Sequence, residues 1–157
     1  VKVLGLDLSI SSAGWAVIDS GNLIACGKIQ TKKLKTTDIP VRLVYIMQEL
    51  DKIVKQHSPS KVVIEDVYHG VNPKTTAILN RLHGAVVVSF SSSTEVVVVG
   101  AATARKNVLG QGKTHPKEEV FETMSKKYNL TDFIFKKNND ETDAILLAEF
   151  GLLSFDK

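Results

Sequence analysis

Apolar positions come in short strand-like stretches over the first third of the chain and then shift to a helical period. Val1–Ser9 is rich in β-formers, with Gly5 inside it and serines after it, which predicts a strand. Ser11-Ser12-Ala13-Gly14 punctuates it, and Trp15–Ile18 reads as a second strand. Asp19-Ser20-Gly21-Asn22 has hairpin-turn chemistry, and Leu23–Gln30 follows as a third strand. An antiparallel meander is therefore expected at the N-terminal end.

Thr37-Asp38-Ile39-Pro40 is a helix-start signal, a cap residue ahead of proline. Leu43, Ile46, Met47, Leu50, Ile53 and Val54 then recur with the helical period, until Ser58-Pro59-Ser60 stops them. Lys61–Tyr68 reads as a strand around Val62-Val63-Ile64. Asn72-Pro73 opens a second helix, whose inner face is expected to carry Ile78, Leu82, Ala85, Val86 and Ser89. Glu95–Ala101 holds four consecutive valines and reads as a fully buried central strand. A flexible polar loop is expected over Thr103–His115. Pro116 starts a third helix with Val120, Phe121, Met124 and Tyr128 inward, and Asn138–Leu153 forms a buried fourth. The order βββαβαβαα predicts an α/β fold with a mixed sheet: three antiparallel strands, then two parallel strands reached by right-handed crossovers.

The chain has 157 residues, 43% hydrophobic and 24% charged, which is enough for one domain over 1–157 with a full core. Ser91-Ser92-Ser93-Thr94-Glu95 divides the most apolar region, so no spanning helix and no membrane partner are expected. Val1-Lys2-Val3-Leu4 reads as a strand rather than a signal peptide. The one cysteine, Cys26, forms no internal disulfide and fits strand packing in a reducing, cytoplasmic setting, in a bacterium or a phage-infected host.

Charge changes the picture through its distribution. The formal net charge is +3, from 20 basic and 17 acidic residues. Basic residues cluster at Lys32, Lys33 and Lys35, and again at Arg105, Lys106, Lys113 and Lys117. Each cluster alone is a solvated face. If four acids share one site, the remaining surface is strongly basic, which suits a polyanionic partner.

Candidate chemistry lies in four acids. Asp7 sits in the apolar Leu4-Gly5-Leu6-Asp7-Leu8, where an ionised carboxylate needs a partner or a turn of its own through Ser9 or Ser11. Glu65 ends Val62-Val63-Ile64-Glu65, and Asp66 has the opposite side-chain parity, so one faces in and the other out. Asp140 and Asp143 share a helix face, one turn apart, although acids in a first helical turn are also explained by the macrodipole. Asn138 or Asn139 would cap that helix. Converged, four carboxylates demand a counterion, and a pair of magnesium ions about 4 Å apart suits them. Gly112-Lys113-Thr114 lacks the first glycine of a phosphate loop, Asn107 standing there, so no nucleotide cofactor is expected. His57, His69, His83 and His115 show no metal spacing.

With these residues in place, the chain resembles the RuvC-type Holliday junction resolvases. Gly5-Leu6-Asp7-Leu8-Ser9 with Gly14-Trp15-Ala16-Val17-Ile18-Asp19 resembles their opening motif, and Val63-Ile64-Glu65-Asp66-Val67-Tyr68 their second. Arg105-Lys106, Gly110-Gln111-Gly112 and Lys117 resemble their basic glycine-containing segment, and Asp140-Glu141-Thr142-Asp143-Ala144 their closing helix. The order and spacing match over nearly the whole chain.

That resemblance implies a ribonuclease H-like five-stranded sheet flanked by helices and a magnesium-dependent homodimeric endonuclease, with manganese able to substitute. Asp7, Glu65, Asp140 and Asp143 would be catalytic metal ligands, two ions to a site. Lys106 and Lys117 would contact DNA near the scissile phosphate, Arg105 and Lys113 would add phosphate contacts, and Tyr68 would stack on junction bases. Ordinary packing at a strand end is the competing role for Tyr68. The family's Asp-Pro-Gly is Asp7-Leu8-Ser9 here, so other branched DNA, flaps and forks, joins four-way junctions as an expected substrate. A non-catalytic junction-binding protein is the alternative. An actin-type or sugar-kinase-like ATP-binding protein would need two facing domains, which this length does not supply.

Overall fold

The computed structural model describes residues 1–70 and 72–153; the rest of the expected 1–157 domain lies outside them. Five strands form one sheet: β1 (Lys2–Asp7), β2 (Ser12–Asp19), β3 (Asn22–Gln30), β4 (Lys61–Glu65) and β5 (Glu95–Val99). Its order is β3-β2-β1-β4-β5. The β1–β2 and β2–β3 pairs are antiparallel, and β1–β4 and β4–β5 are parallel, as the sequence predicts. Five helices flank it: α1 (Ile39–His57), α2 (Pro73–Phe90), α3 (Ala101–Leu109), α4 (Lys117–Lys127) and α5 (Phe135–Leu153). A single 3₁₀ turn at Lys32–Leu34 follows β3.

The helix-start signals act as read. The Asp38 carboxylate accepts from Val41 N at 3.1 Å, and the Asn72 side chain accepts from Lys74 N and Thr75 N. Both caps satisfy amides that the first turn leaves without partners.

The sheet separates two apolar cores. Even residues of β1 and β4 (Leu4, Leu6, Val62, Ile64) join α1 and α2 on one side. Val3, Ala16, Ile18 and Val63 meet α3, α4 and α5 on the other. Strand alternation therefore puts Asp7, two residues beyond Gly5, and Glu65, two beyond Val63, on the α5 side. Asp66 is exposed, so the expected parity split between the two neighbouring acids is found.

α5 crosses this face at close range. A Cβ on Gly5 would collide with the Ala144 carbonyl oxygen, and one on Gly14 with the Asp140 carbonyl oxygen. Gly14 is the register partner of Asp7. The two glycines thus let the acidic part of α5 settle against the end of β1.

Several expectations need correction. β5 is an edge strand, not a central one, and Val98 is 48% exposed. β1 already holds one side of β4, so the α2 crossover can add β5 only on the outer side. β4 ends at Glu65 rather than Tyr68: Asp66 N still donates to Val99 O, but the Asp66 carboxylate accepts from Val67 N at 2.8 Å and takes that amide out of the ladder. Most of the expected 103–115 loop is helix α3. The alanines and long side chains before Gly110 favour helix, Ala104 is buried, and only the glycine-containing part is irregular. On α2 the buried stripe runs through Leu82, Val86 and Phe90, with Ser89 exposed. α5 begins at Phe135, so Asn138 and Asn139 lie inside it and do not cap it. The Asn138 side chain reaches back to accept from Ile134 N, just before the helix, and Asn139 donates to Phe135 O inside it.

Candidate active site

Asp7 and Glu65 end neighbouring parallel strands, and α5 brings Asp140 and Asp143 against them. Because α5 starts five residues before Asp140, neither aspartate belongs to its first turn, and dipole stabilisation does not account for them. Nor does the serine turn account for Asp7. Ser9 Oγ accepts from Ser11 N and Ser12 N, so Ser9 closes that turn.

The acids feel one another. Burial, then the charges of Asp143 and Glu65, push the Asp7 carboxyl up to about 8. Burial and Asp143 raise Glu65, an effect tempered by Arg105, Lys117 and His83. Burial also raises Asp143, against the pull of Lys117. Burial leads all three shifts, with the charge of neighbouring carboxylates adding to it.

Lys117, at the first position of α4, answers part of that charge. Its ammonium lies 2.7 Å from Asp143 Oδ2. Burial works against its charge, but Asp143, Asp7 and Glu65 outweigh burial and raise it. Ser12 Oγ donates to Asp140 Oδ2 at 2.7 Å and fixes that carboxylate. No three His, Cys, Asp or Glu side chains among the described residues stand at ligating separation. The donor chemistry fits a hard divalent cation: carboxylate oxygens whose negative charge the Lys117 ammonium answers only in part.

The predicted DNA contacts surround this centre. Tyr68 is 84% exposed in the loop after β4, so packing at a strand end is not its role. Tyr68 and Glu65 line a cleft of about 620 Å³ with Arg105, Lys106 and Lys113. Arg105 donates from a guanidinium nitrogen to His115 O at 3.2 Å. Lys106 is exposed, and Lys113 pairs with Glu119 at 2.9 Å, away from the acids. Lys117 thus meets the acid cluster directly, while Arg105 acts on Glu65 and Asp143 through charge. Sequence reading missed Ser12, which looked like turn punctuation, and the close approach at Gly14; neither has a local signal.

Residues 3–149 match the family model of the crossover junction endodeoxyribonuclease RuvC. The chain belongs to the RuvC family. Curated RuvC proteins of Burkholderia ambifaria and Burkholderia mallei are each 29% identical to it over 150 residues. Those alignments cover 94% of this chain, with 80% and 81% of the two relatives. The RuvC fold is equally plain. Thermus thermophilus RuvC in complex with a Holliday junction substrate superposes with a TM-score of 0.81 at 17% identity, covering 99% of this chain and 96% of that one. The fowlpox virus resolvase, solved with Holliday junction DNA, gives a TM-score of 0.63 at 16% identity, covering both chains completely. The expected ribonuclease H-like architecture is thus the RuvC architecture.

Proposed function

We propose that this protein is a divalent-metal-dependent endonuclease that nicks four-way DNA junctions, and other branched DNA such as flaps and forks. What supports the reading is that Asp7 feels the charges of Asp143, Glu65 and Asp140, with Lys117 paired to Asp143, in a RuvC chain. Those carboxylates would hold the metal. A bound pair of magnesium or manganese ions would supply an activated water and stabilise the oxygen that leaves the phosphate.

The chain's own residues do the rest. Ser12 holds Asp140 in orientation, and the Lys117 ammonium stands ready to meet a phosphate oxygen once it leaves Asp143. Arg105, Lys106 and Lys113 bind backbone phosphates, a contact that weakens with salt. Tyr68 offers an open ring to bases unstacked at the crossover. A homodimer would present two such sites to symmetric strands, residues 1–157 acting as one nuclease domain in each subunit. A DNA substrate and the single thiol Cys26 suit a cytoplasmic setting. Among the described residues no helix is long and apolar enough to cross a membrane.

The test is nicking of a labelled synthetic four-way junction in magnesium, with linear duplex, flap and fork beside it. Paired nicks near the crossover, absent with Asp7→Asn, are expected. Tight junction binding without cleavage in magnesium or manganese would overturn the nuclease reading in favour of a binding protein.

A further inference from the structure

His83 stands on the buried side of α2 and lines a cleft of about 330 Å³ with Asp7 and Glu65. Both of its ring nitrogens meet main-chain oxygens. Nε2 lies 2.8 Å from the main-chain oxygen of Glu65, and Nδ1 lies 2.8 Å from the main-chain oxygen of Leu79, one turn back on α2. Carbonyl oxygens only accept, so the ring must donate: a neutral imidazole to one of the two, the imidazolium to both. An N–H on Nδ1 fixes the ring on its own helix through Leu79, and an N–H on Nε2 ties that helix to the end of β4 through Glu65.

The tie falls where the sheet stops. The β1–β4 register ends at Leu6–Ile64, one residue before Glu65. On the other side Glu65 keeps Val99 of β5 as its register partner, and β5 is itself an edge strand. Immediately beyond, Asp66 N still donates to Val99 O, but the Asp66 carboxylate takes the Val67 amide and the ladder stops. The residue whose carboxylate must face Asp7 and Asp143 is thus the last of its strand, and α2 steadies it through one histidine.

We propose that His83 is a positioning residue for the carboxylate centre, aiming Glu65 by holding its main-chain carbonyl. This rests on the reading of Glu65 as a metal ligand. His83 touches no reacting atom; it acts through the peptide that carries the ligand, as outer partners of metal ligands generally do.

The experiment measures manganese binding to the DNA-free protein by paramagnetic resonance or calorimetry, together with kcat and junction affinity, for wild type, His83→Phe, His83→Gln and Asp7→Asn. His83→Phe removes both ring nitrogens, and its manganese Kd is expected to rise and its kcat to fall by about tenfold or more. Junction affinity should stay within about twofold. His83→Gln, whose amide still donates, should recover most of the loss. If the phenylalanine ring prevents folding, His83→Leu removes the donors in a smaller volume and is read the same way. A folded donor-less variant with wild-type manganese affinity overturns the proposal, as does equal loss in His83→Gln and His83→Phe. Asp7→Asn separates the two claims. If it loses manganese while the donor-less variant keeps it, only the role of His83 falls. If it binds manganese like wild type, the metal-site reading falls too.

Discussion

The Lys117 ammonium lies 2.7 Å from Asp143 Oδ2, with the lysine side chain 48% exposed and the aspartate side chain 4% exposed. A half-solvated cation is thus the partner of a buried anion, and the anion depends on it more. Lys117→Ala leaves Asp143 without that partner. The metal-free protein should lose about 1–2 kcal/mol, less than a fully buried pair because water screens the lysine. Magnesium should restore more stability in the variant than it adds to wild type, since the metal would replace the missing positive charge. Thermal unfolding with and without magnesium measures both.

Asp7 gives the metal-free protein a pH dependence of definite sign. Its folded carboxyl keeps the proton up to about 8, against an ordinary 3.8. Between those values the native state holds a proton that the unfolded chain has lost, so stability falls as pH rises through the window. Asp7→Asn has no such proton. Its metal-free Tm should exceed wild type at about pH 8, and the two should converge near about pH 4. Each kcal/mol corresponds to about 2–4 °C in a chain of this size.

Metal uptake should release protons for the same reason. A carboxyl must ionise before it can ligate. Manganese affinity should therefore rise with pH up to about 8, and calorimetry in buffers of different ionisation enthalpy should count protons released. An affinity flat from about pH 6 to about 8 would contradict this account of Asp7.

Gly14 and Gly84 make opposite predictions for the same substitution. Gly14→Ala pushes α5 away at Asp140, so it should lower stability by about 1–3 kcal/mol and abolish most cleavage. Gly84 lies within α2, and a Cβ there would meet nothing within 4 Å, so Gly84→Ala should raise stability by about 0.5–1 kcal/mol. Denaturant unfolding of the two variants, with junction nicking on each, checks the pair.

Tyr68 should matter to DNA and not to folding, because the residue is 84% exposed. Tyr68→Ala is expected to weaken junction binding by about 1–3 kcal/mol with Tm unchanged. Lys106→Ala should instead flatten the salt dependence of binding by about one unit. Salt titrations of junction affinity separate stacking from charge.

Much of the fold was legible because its signals are local. Asp38 and Asn72 cap helices that begin where their sequences predict, and the meander follows from turn chemistry at Asp19–Asn22. The misreadings share a cause. Four valines in a row report an apolar environment but not which side of β4 remains open, so β5 looked central. Gly110 and Gly112 drew attention from the alanines before them, so α3 looked like loop.

The site divides the same way. Sequence alone determined which carboxylates end apolar strands and which share a helix face, because periods of two and 3.6 residues fix side-chain direction within an element. It also supplied the order of motifs that marks the RuvC family. Only the tertiary structure decided that Lys117 pairs with Asp143 while Lys113 turns to Glu119, that Ser12 holds Asp140, and that His83 grips the main chain of Glu65. Those contacts join residues on separate elements, several of them far apart in sequence. They depend on how closely α5 and α2 settle on the sheet, which packing across the whole core sets and no local pattern records.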